Sequence, residues 1–156
     1  MKRYTYDLFE PSDNNDESLD RLSKEFAPLH VKSWEKVKHR HYNKAYDLNV
    51  AAFASLWLSK SLKIFIAYEE TTPVGYLMGF LFRPMQYQAT VFQVEDWYTG
   101  NNREMEEGLF DYMYEGLRFM GVDEVLLSVG ANETPMNLGP GWKIANTFKQ
   151  VRYVRK

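Results

Sequence analysis

The sequence of 156 residues predicts a mixed α/β (α+β) domain, with helices flanking one twisted and mostly antiparallel sheet. Three observations support this prediction. Apolar segments of strand length at 63–69 and 74–82 are separated by a turn, which is typical of a hairpin. A strand, a turn, an amphipathic helix and a second strand follow one another over 91–129, which predicts a parallel pair joined by a right-handed crossover. A last hairpin is expected at 142–145 and 148–154.

The N-terminal part is expected to hold one short strand followed by helical segments, at residues 4–9, 17–26, 29–37 and 49–61. Pro28 is expected to stop the first helix, because proline lacks an amide hydrogen and clashes with the preceding turn. The polar segment 39–47 is expected to be a loop, with Asp47 as the cap of the next helix.

Composition limits the function classes. At this length one domain over residues 1–156 with one core is expected. The net charge of −2 gives no reason to expect a nucleic-acid partner. Since the chain has no cysteine, disulfides, thiolate catalysis and cysteine-ligated zinc are excluded. The N-terminus lacks a signal peptide and no segment is long enough to span a membrane, so a cytoplasmic protein is expected.

Two local clusters, one of histidines and one of basic residues, are expected to have no ligand-binding role. His39 and His41 lack an evident third ligand, so no metal site is expected. A small basic patch is expected to be a solvated face, and consists of Lys32, Lys36, Lys38 and Arg40. The abundant aromatic residues are expected to line a cleft or to serve an interface, either in a homodimer or with a protein partner.

The strand–turn–helix–strand unit over 91–129 contains the candidate functional site. The turn Gly100–Arg103 leads a strand into a long helix, so free backbone amides point at one spot that suits a phosphate. Acids follow immediately, however, at Glu104, Glu106 and Glu107. Such acids are also ordinary complements of a helix dipole, so a working phosphate site and a plain helix start both remain open.

Several motifs in order resemble the GNAT (GCN5-related) N-acetyltransferases over roughly residues 45–154. The hairpin with Val74-Gly75-Tyr76 resembles the family's second and third strands, and Val94 to Thr99 resembles its fourth. Gly121 to Val125 resembles the glycine-led entry to the fifth strand. Later matches are Asn132 and Gly141-Trp142. The family's acetyl-CoA motif, R/Q-x-x-G-x-G/A, falls on Arg103, Glu104, Met105, Glu106, Glu107 and Gly108.

The resemblance implies a GNAT-like fold and transfer of an acetyl group from acetyl-CoA to a primary amine. It implies that Trp97, Tyr98 and Thr99 line the pantetheine arm, and that the amides of 104–108 hold the pyrophosphate. It also implies Glu95 as the general base for the attacking amine. The acceptor would be a small-molecule or protein amine. From charge alone, a cationic acceptor such as a polyamine, an aminoglycoside or a lysine side chain is expected.

Three departures from the family pattern favour an alternative. Glu106 replaces the motif's first glycine, where backbone must approach phosphate closely. Acids outnumber bases over 95–118, and Asn137 stands where the family often has a tyrosine as general acid. The alternative is a degenerate GNAT fold that does not use acetyl-CoA and acts as a binding module, for instance a phage-type accessory or host-targeting protein.

Overall fold

The computed structural model describes residues 3–9 and 15–128. The predicted last hairpin, Asn132 and Asn137 lie outside these residues. The elements follow one another along the chain as β1 Tyr4–Phe9, α1 Asn15–Arg21, a π-helical segment Leu22–Phe26, α2 Ala27–Val37, a 3-10 helix Lys38–His41, α3 Val50–Leu58, β2 Leu62–Glu69, β3 Thr72–Phe82, β4 Val91–Tyr98, α4 Arg103–Phe119 and β5 Glu124–Leu127.

The described strands form one sheet in the order β1-β2-β3-β4-β5. The β1–β2, β2–β3 and β3–β4 pairs are antiparallel, whereas β4 and β5 are parallel and are joined through α4. The predicted fold class, the hairpin and the parallel strand–helix–strand unit are therefore confirmed.

Two local predictions near the N-terminus were wrong. Pro28 does not stop the helical path, because it lies in the first turn of α2 directly after the π-helical segment, and the backbone at Phe26 and Ala27 stays helical. The chain therefore continues from α1 through the π-helical segment into α2. Asp47 does not cap α3. The cap is Asn49, whose side-chain oxygen accepts a hydrogen bond of 3.1 Å from the amide of Ala52.

The sheet is covered on both faces. One face packs against α4 through a cluster that includes Phe65, Leu77, Phe92, Leu109 and Met113. The other face packs against the N-terminal helices through a cluster that includes Phe9, Phe26, Trp57, Ile64 and Tyr76. Burial of both faces removes a large apolar area from water, which is the main stabilising contribution in a domain of this size.

A β-bulge in β4 decides which side chains reach each face. Gly79 of β3 lies opposite Val94, and Met78 lies opposite Asp96, which leaves Glu95 as the extra residue. The extra residue shifts the alternation of β4 by one position. Val94 and Trp97 consequently join the cluster under α4, whereas Asp96 faces α2.

Candidate active site

A first cavity opens beyond the last described pair of β4 and β5. Their pairing ends at Val94 and Leu127, whereas β4 continues to Tyr98. The space, here called the splay cavity, has a volume of about 420 Å³. The described residues that line it come from the end of β4, the start of α4, α2 and its 3-10 extension, and the residue after β5: Glu95, Asp96, Trp97, Tyr98, Thr99, Asn101, Glu106, Ser33, Lys36, Val37, Arg40, His41 and Ser128.

Trp97, Tyr98 and Thr99 line this cavity, at the position where the sequence predicts the pantetheine arm. Trp97 is held edge-to-face against Phe110 of α4, with ring centroids 6.0 Å apart. The ammonium of Lys36 lies 4.9 Å from the centre of the Tyr98 ring. Their cofactor-binding role stays a prediction, because these contacts are made between residues of the protein itself.

The start of α4 has a well-formed cap. The side-chain oxygen of Asn102 accepts a hydrogen bond of 3.0 Å from the amide of Met105. The backbone carbonyl of Asn102 accepts one of 3.0 Å from the amide of Glu106. The side-chain amide of Asn102 donates to the hydroxyl of Tyr4 at 2.7 Å. The amides of Arg103 and Glu104 precede the first helical hydrogen bond and have no acceptor within the helix. Within the predicted stretch 104–108, Glu104 therefore offers the amide best placed for a phosphate.

The other side chains of the predicted motif serve the helix and its packing. Arg103 is largely exposed and forms an ion pair of 3.1 Å with Glu107, one helical turn further on. Met105 is buried, and its sulfur lies against Gly75 of β3. A side chain at Gly108 would overlap the hydroxyl of Tyr6, so this glycine allows β1 to approach α4.

Glu106 brings a carboxylate into the splay cavity. Its side chain is buried at 6% exposure, and the hydroxyl of Thr99 donates to it at 3.3 Å. Two cations of the predicted basic patch, Lys36 and Arg40, line the same cavity. The acidic surround expected from residues 95–118 is therefore partly offset by α2 and its 3-10 extension, which the chain folds across β4.

A second cavity of about 930 Å³ lies between α2, α3 and the sheet, and is here called the aromatic cavity. Its walls include Trp34 of α2, Tyr46 of the following loop, Phe53 of α3 and Phe80 of β3. The two cavities share five lining residues, which are Ser33, Val37, His41, Glu95 and Asp96. They therefore meet at the bulge of β4.

Asp96 is the most strongly held polar group at this junction. The hydroxyl of Ser33 donates to its carboxylate, with distances of 3.0 and 2.9 Å to the two oxygens, and the hydroxyl of Tyr76 donates to Oδ2. Burial raises the pKa of the Asp96 carboxyl above its ordinary value, while the hydrogen bonds from Tyr76 and Ser33 lower it. Burial and the neighbouring carboxylate raise the pKa of Tyr76 far above its ordinary value, so Tyr76 keeps its proton and donates it.

His30 extends this network toward the mouth of the aromatic cavity. Its Nδ1 lies 2.9 Å from the hydroxyl of Tyr46, and its Nε2 lies 3.9 Å from Oδ2 of Asp96. Burial lowers the pKa of His30 below its ordinary value of 6.5, although the Asp96 carboxylate opposes this effect. A neutral imidazole packed on Phe26, with ring centroids 4.9 Å apart, therefore spans Tyr46 and Asp96.

Glu95 and Asp96 differ in their environments. Glu95, the predicted general base, is the exposed bulge residue and lines both cavities, so its role stays a prediction. Asp96 was not among the site residues predicted from the sequence. An acid within an apolar strand was the available signal, but only the bulge decides which of two adjacent acids turns toward α2.

Solved structures with the same architecture identify the fold. A probable acetyltransferase aligns with a TM-score of 0.65 at 15% identity, covering 97% of this chain and 98% of its own. A GNAT family acetyltransferase from Staphylococcus aureus subsp. aureus USA300_TCH1516 aligns with a TM-score of 0.60 at 12% identity, covering 98% and 100%. The chain has the GNAT acetyltransferase fold.

A further acetyltransferase structure is similar to this chain, again at low sequence identity. An aminoglycoside acetyltransferase from an uncultured soil metagenomic sample, in complex with sisomicin, aligns with a TM-score of 0.57 at 13% identity, covering 83% of this chain and 79% of its own. No family model and no curated protein sequence matches the chain. The predicted GNAT-like fold is thus confirmed.

Residues 3–9 and 15–128 contain neither a membrane-spanning helix nor a cluster of metal ligands. No helix there combines the length and apolar character that crossing a membrane requires. Within the same residues, no group of three or more His, Asp or Glu side chains is arranged to hold a metal ion.

Proposed function

We propose that this protein is a GNAT-type N-acetyltransferase that transfers the acetyl group of acetyl-CoA to a primary amine. The observation that carries this proposal is the meeting of two cavities at Asp96 on the bulge of β4. Transfer between two substrates needs them side by side in a fixed orientation, and a shared wall between two cavities provides that geometry.

The splay cavity has the groups needed to bind acetyl-CoA. Beyond Val94, β4 continues without a β5 partner among the described residues, so its backbone can hydrogen-bond the amides of a pantetheine arm. Lys36 and Arg40 line the cavity and suit the CoA phosphates, and the amides of Arg103 and Glu104 lie next along the chain from the cavity wall at Asn101. Three acids of the described lining oppose an anion, which are Glu95 and Asp96 on β4 and Glu106 on α4. When bound, acetyl-CoA supplies a thioester carbonyl as the electrophile.

Asp96 is proposed to prepare the amine. A primary amine is an ammonium at neutral pH, and it must lose a proton before its nitrogen can attack. The carboxylate of Asp96 binds the ammonium and accepts that proton, and the pKa of Asp96, raised by burial, makes it a better base than an exposed aspartate. The hydroxyls of Tyr76 and Ser33 fix its orientation. The new C–N bond then forms as the C–S bond breaks, and the second excess proton on the nitrogen passes to the departing sulfur, so that CoA leaves as its thiol.

The buried carboxylate of Glu106 supports a second candidate function. A negative charge inside the splay cavity weakens binding of the anionic CoA phosphates. In that case the GNAT fold would act as a binding module without acetyl-CoA. The two candidates differ in one measurable property, which is the affinity for acetyl-CoA.

Calorimetry and a thiol assay together test the proposal. Acetyl-CoA titrated into the protein is expected to bind with a dissociation constant below about 1 mM, and addition of amines is expected to release free CoA thiol. The chain has no cysteine, so a thiol-reactive dye reports CoA alone. Absence of binding at millimolar acetyl-CoA would remove the acetyltransferase proposal and leave the binding module.

A further inference from the structure

The walls of the aromatic cavity indicate which amines the proposed transferase accepts, an inference that rests on the proposed function. The described lining residues are mainly aromatic or apolar, and include Trp34, Tyr46, Phe53, Leu56, Met78 and Phe80. Phe53 is backed by Phe26 and Trp57, with ring centroids 6.2 Å away in each case. A cavity with such walls binds ligands mainly by removing apolar surface from water.

The loop that closes this cavity is tied to α2 at two points. The indole N–H of Trp34 donates to the carbonyl of Lys44 at 2.8 Å, and Tyr46 is hydrogen-bonded to His30 at 2.9 Å. Trp34 also stacks on His41, with ring centroids 5.1 Å apart. These contacts hold the aromatic wall in place before a ligand arrives, which lowers the entropy cost of binding.

Carboxylates are concentrated at one end of the cavity. Asp96 and Glu95 lie where the two cavities meet. The only other acid among the described lining residues, Asp47, is exposed on a loop that also contributes Lys44. Asp96, whose side chain is 31% exposed, is therefore the least exposed carboxylate that the described lining offers a cation, at the end where the two cavities meet.

This distribution of charge selects against ligands with several cations. A polyamine or an aminoglycoside bound through Asp96 would place its other ammonium groups against apolar side chains, and a cation removed from water without a partner is strongly destabilised. A monoamine has no such cost, because its one ammonium reaches Asp96 and its apolar body covers the aromatic wall.

We propose that the acceptor is a primary monoamine with an aromatic body, of the arylalkylamine class. Its ammonium binds Asp96, and its ring lies between Phe53 and Phe80 in the aromatic cavity. This acceptor class replaces the polyamine, aminoglycoside or lysine side chain expected from the acidic residues near the cleft.

The test compares 2-phenylethylamine with spermidine and kanamycin. Release of CoA thiol is measured at saturating acetyl-CoA, and calorimetry measures binding of each amine to the protein alone. The expected kcat/KM is at least about tenfold higher for 2-phenylethylamine, which is the discrimination that an apolar pocket can provide. The calorimetric affinities are expected to follow the same order.

A designed variant sharpens the comparison. Ala52 lines the aromatic cavity from α3, whereas Asp96 lines it from β4, so Ala52→Glu adds a carboxylate on another wall for a second cation. The ratio of kcat/KM for spermidine to that for 2-phenylethylamine is expected to rise about tenfold. Val50 is 68% exposed on the same helix and does not line the cavity, so Val50→Glu adds the same charge elsewhere and is expected to leave the ratio unchanged.

Each result has a separate meaning. Preference for spermidine or kanamycin in the wild-type protein overturns the acceptor class while leaving acetyl transfer in place. Binding of 2-phenylethylamine without acetyl transfer to any amine supports the ligand class and contradicts the proposed function. If 2-phenylethylamine neither binds nor is acetylated, or if both glutamate variants shift the ratio equally, the inference is wrong.

Discussion

The splay cavity and the aromatic cavity meet at Asp96 but differ in what forms their walls. The splay cavity is lined by the end of β4, by the start of α4 and by charges of both signs, including Lys36 and Glu106. The aromatic cavity is lined mainly by rings and apolar side chains held by α2 and α3. The first suits a long ligand with phosphates and amides, and the second suits a compact apolar one. The proposed function assigns these two cavities to two substrates of unlike chemistry.

The largest effect is expected at the junction. Asp96→Asn removes the proposed proton acceptor while keeping an oxygen that can accept from Ser33, so kcat/KM should fall by about 100-fold or more. Acetyl-CoA affinity should stay within about twofold, because this residue acts on the amine. The measurements are thiol-release kinetics and calorimetry.

Glu95→Gln is the matched control for Asp96, since it changes the charge of the adjacent residue. A smaller loss than in Asp96→Asn is expected, because Glu95 is exposed. If Glu95→Gln abolishes transfer and Asp96→Asn does not, the sequence-based assignment of the base to Glu95 is correct and the one made from the structure is wrong.

The next effect concerns Gly108 of the predicted cofactor motif. A side chain there would overlap the hydroxyl of Tyr6, so Gly108→Ala should lower the free energy of unfolding by about 1–3 kcal/mol. Gly116 of the same helix has its nearest neighbour at 3.4 Å, and Gly116→Ala should be neutral or stabilising by up to about 1 kcal/mol. Urea denaturation measures both. Equal effects at the two glycines would contradict a packing role for Gly108.

A pH effect is expected from His30. Its pKa is lowered in the folded state by burial, so the unfolded state binds the proton more readily as pH falls below 6.5. The free energy of unfolding of the wild type, relative to His30→Gln, should therefore decrease as pH falls from 7.5 to 5, by at most about 1.4 kcal/mol per pH unit. Urea titrations at several pH values test this, with exposed His39→Gln as the control. A relative stability that rises on acidification would refute it.

The smallest effect is expected in the splay cavity. Glu106→Gln removes a negative charge near the predicted phosphate position with little change of shape, and should strengthen acetyl-CoA binding about two- to fivefold. Glu107→Gln removes the same charge from a residue that pairs with Arg103 and does not line the cavity. Calorimetry should show a larger gain for Glu106→Gln, and no gain would mean that Glu106 does not limit binding.

The sequence predicted the sheet well because its strands are apolar, of ordinary length and separated by clear turns. The two wrong predictions concern residues with more than one possible local role. Pro28 fits a helix start as well as a helix end, and Asn49 rather than Asp47 caps α3. The site was harder to predict. The placement of Asp96 depends on a one-residue bulge, and Lys36 and Arg40 reach the splay cavity only through packing of α2 and its 3-10 extension against β4.

A crystal structure of the protein soaked with acetyl-CoA would test most directly whether the two cavities form one transfer site. The proposed function predicts pantetheine alongside Trp97 to Thr99, phosphates near the amides of Arg103 and Glu104, and the acetyl group at the junction beside Asp96. An acetyl group bound away from this junction, or a splay cavity that stays empty at millimolar acetyl-CoA, would contradict it.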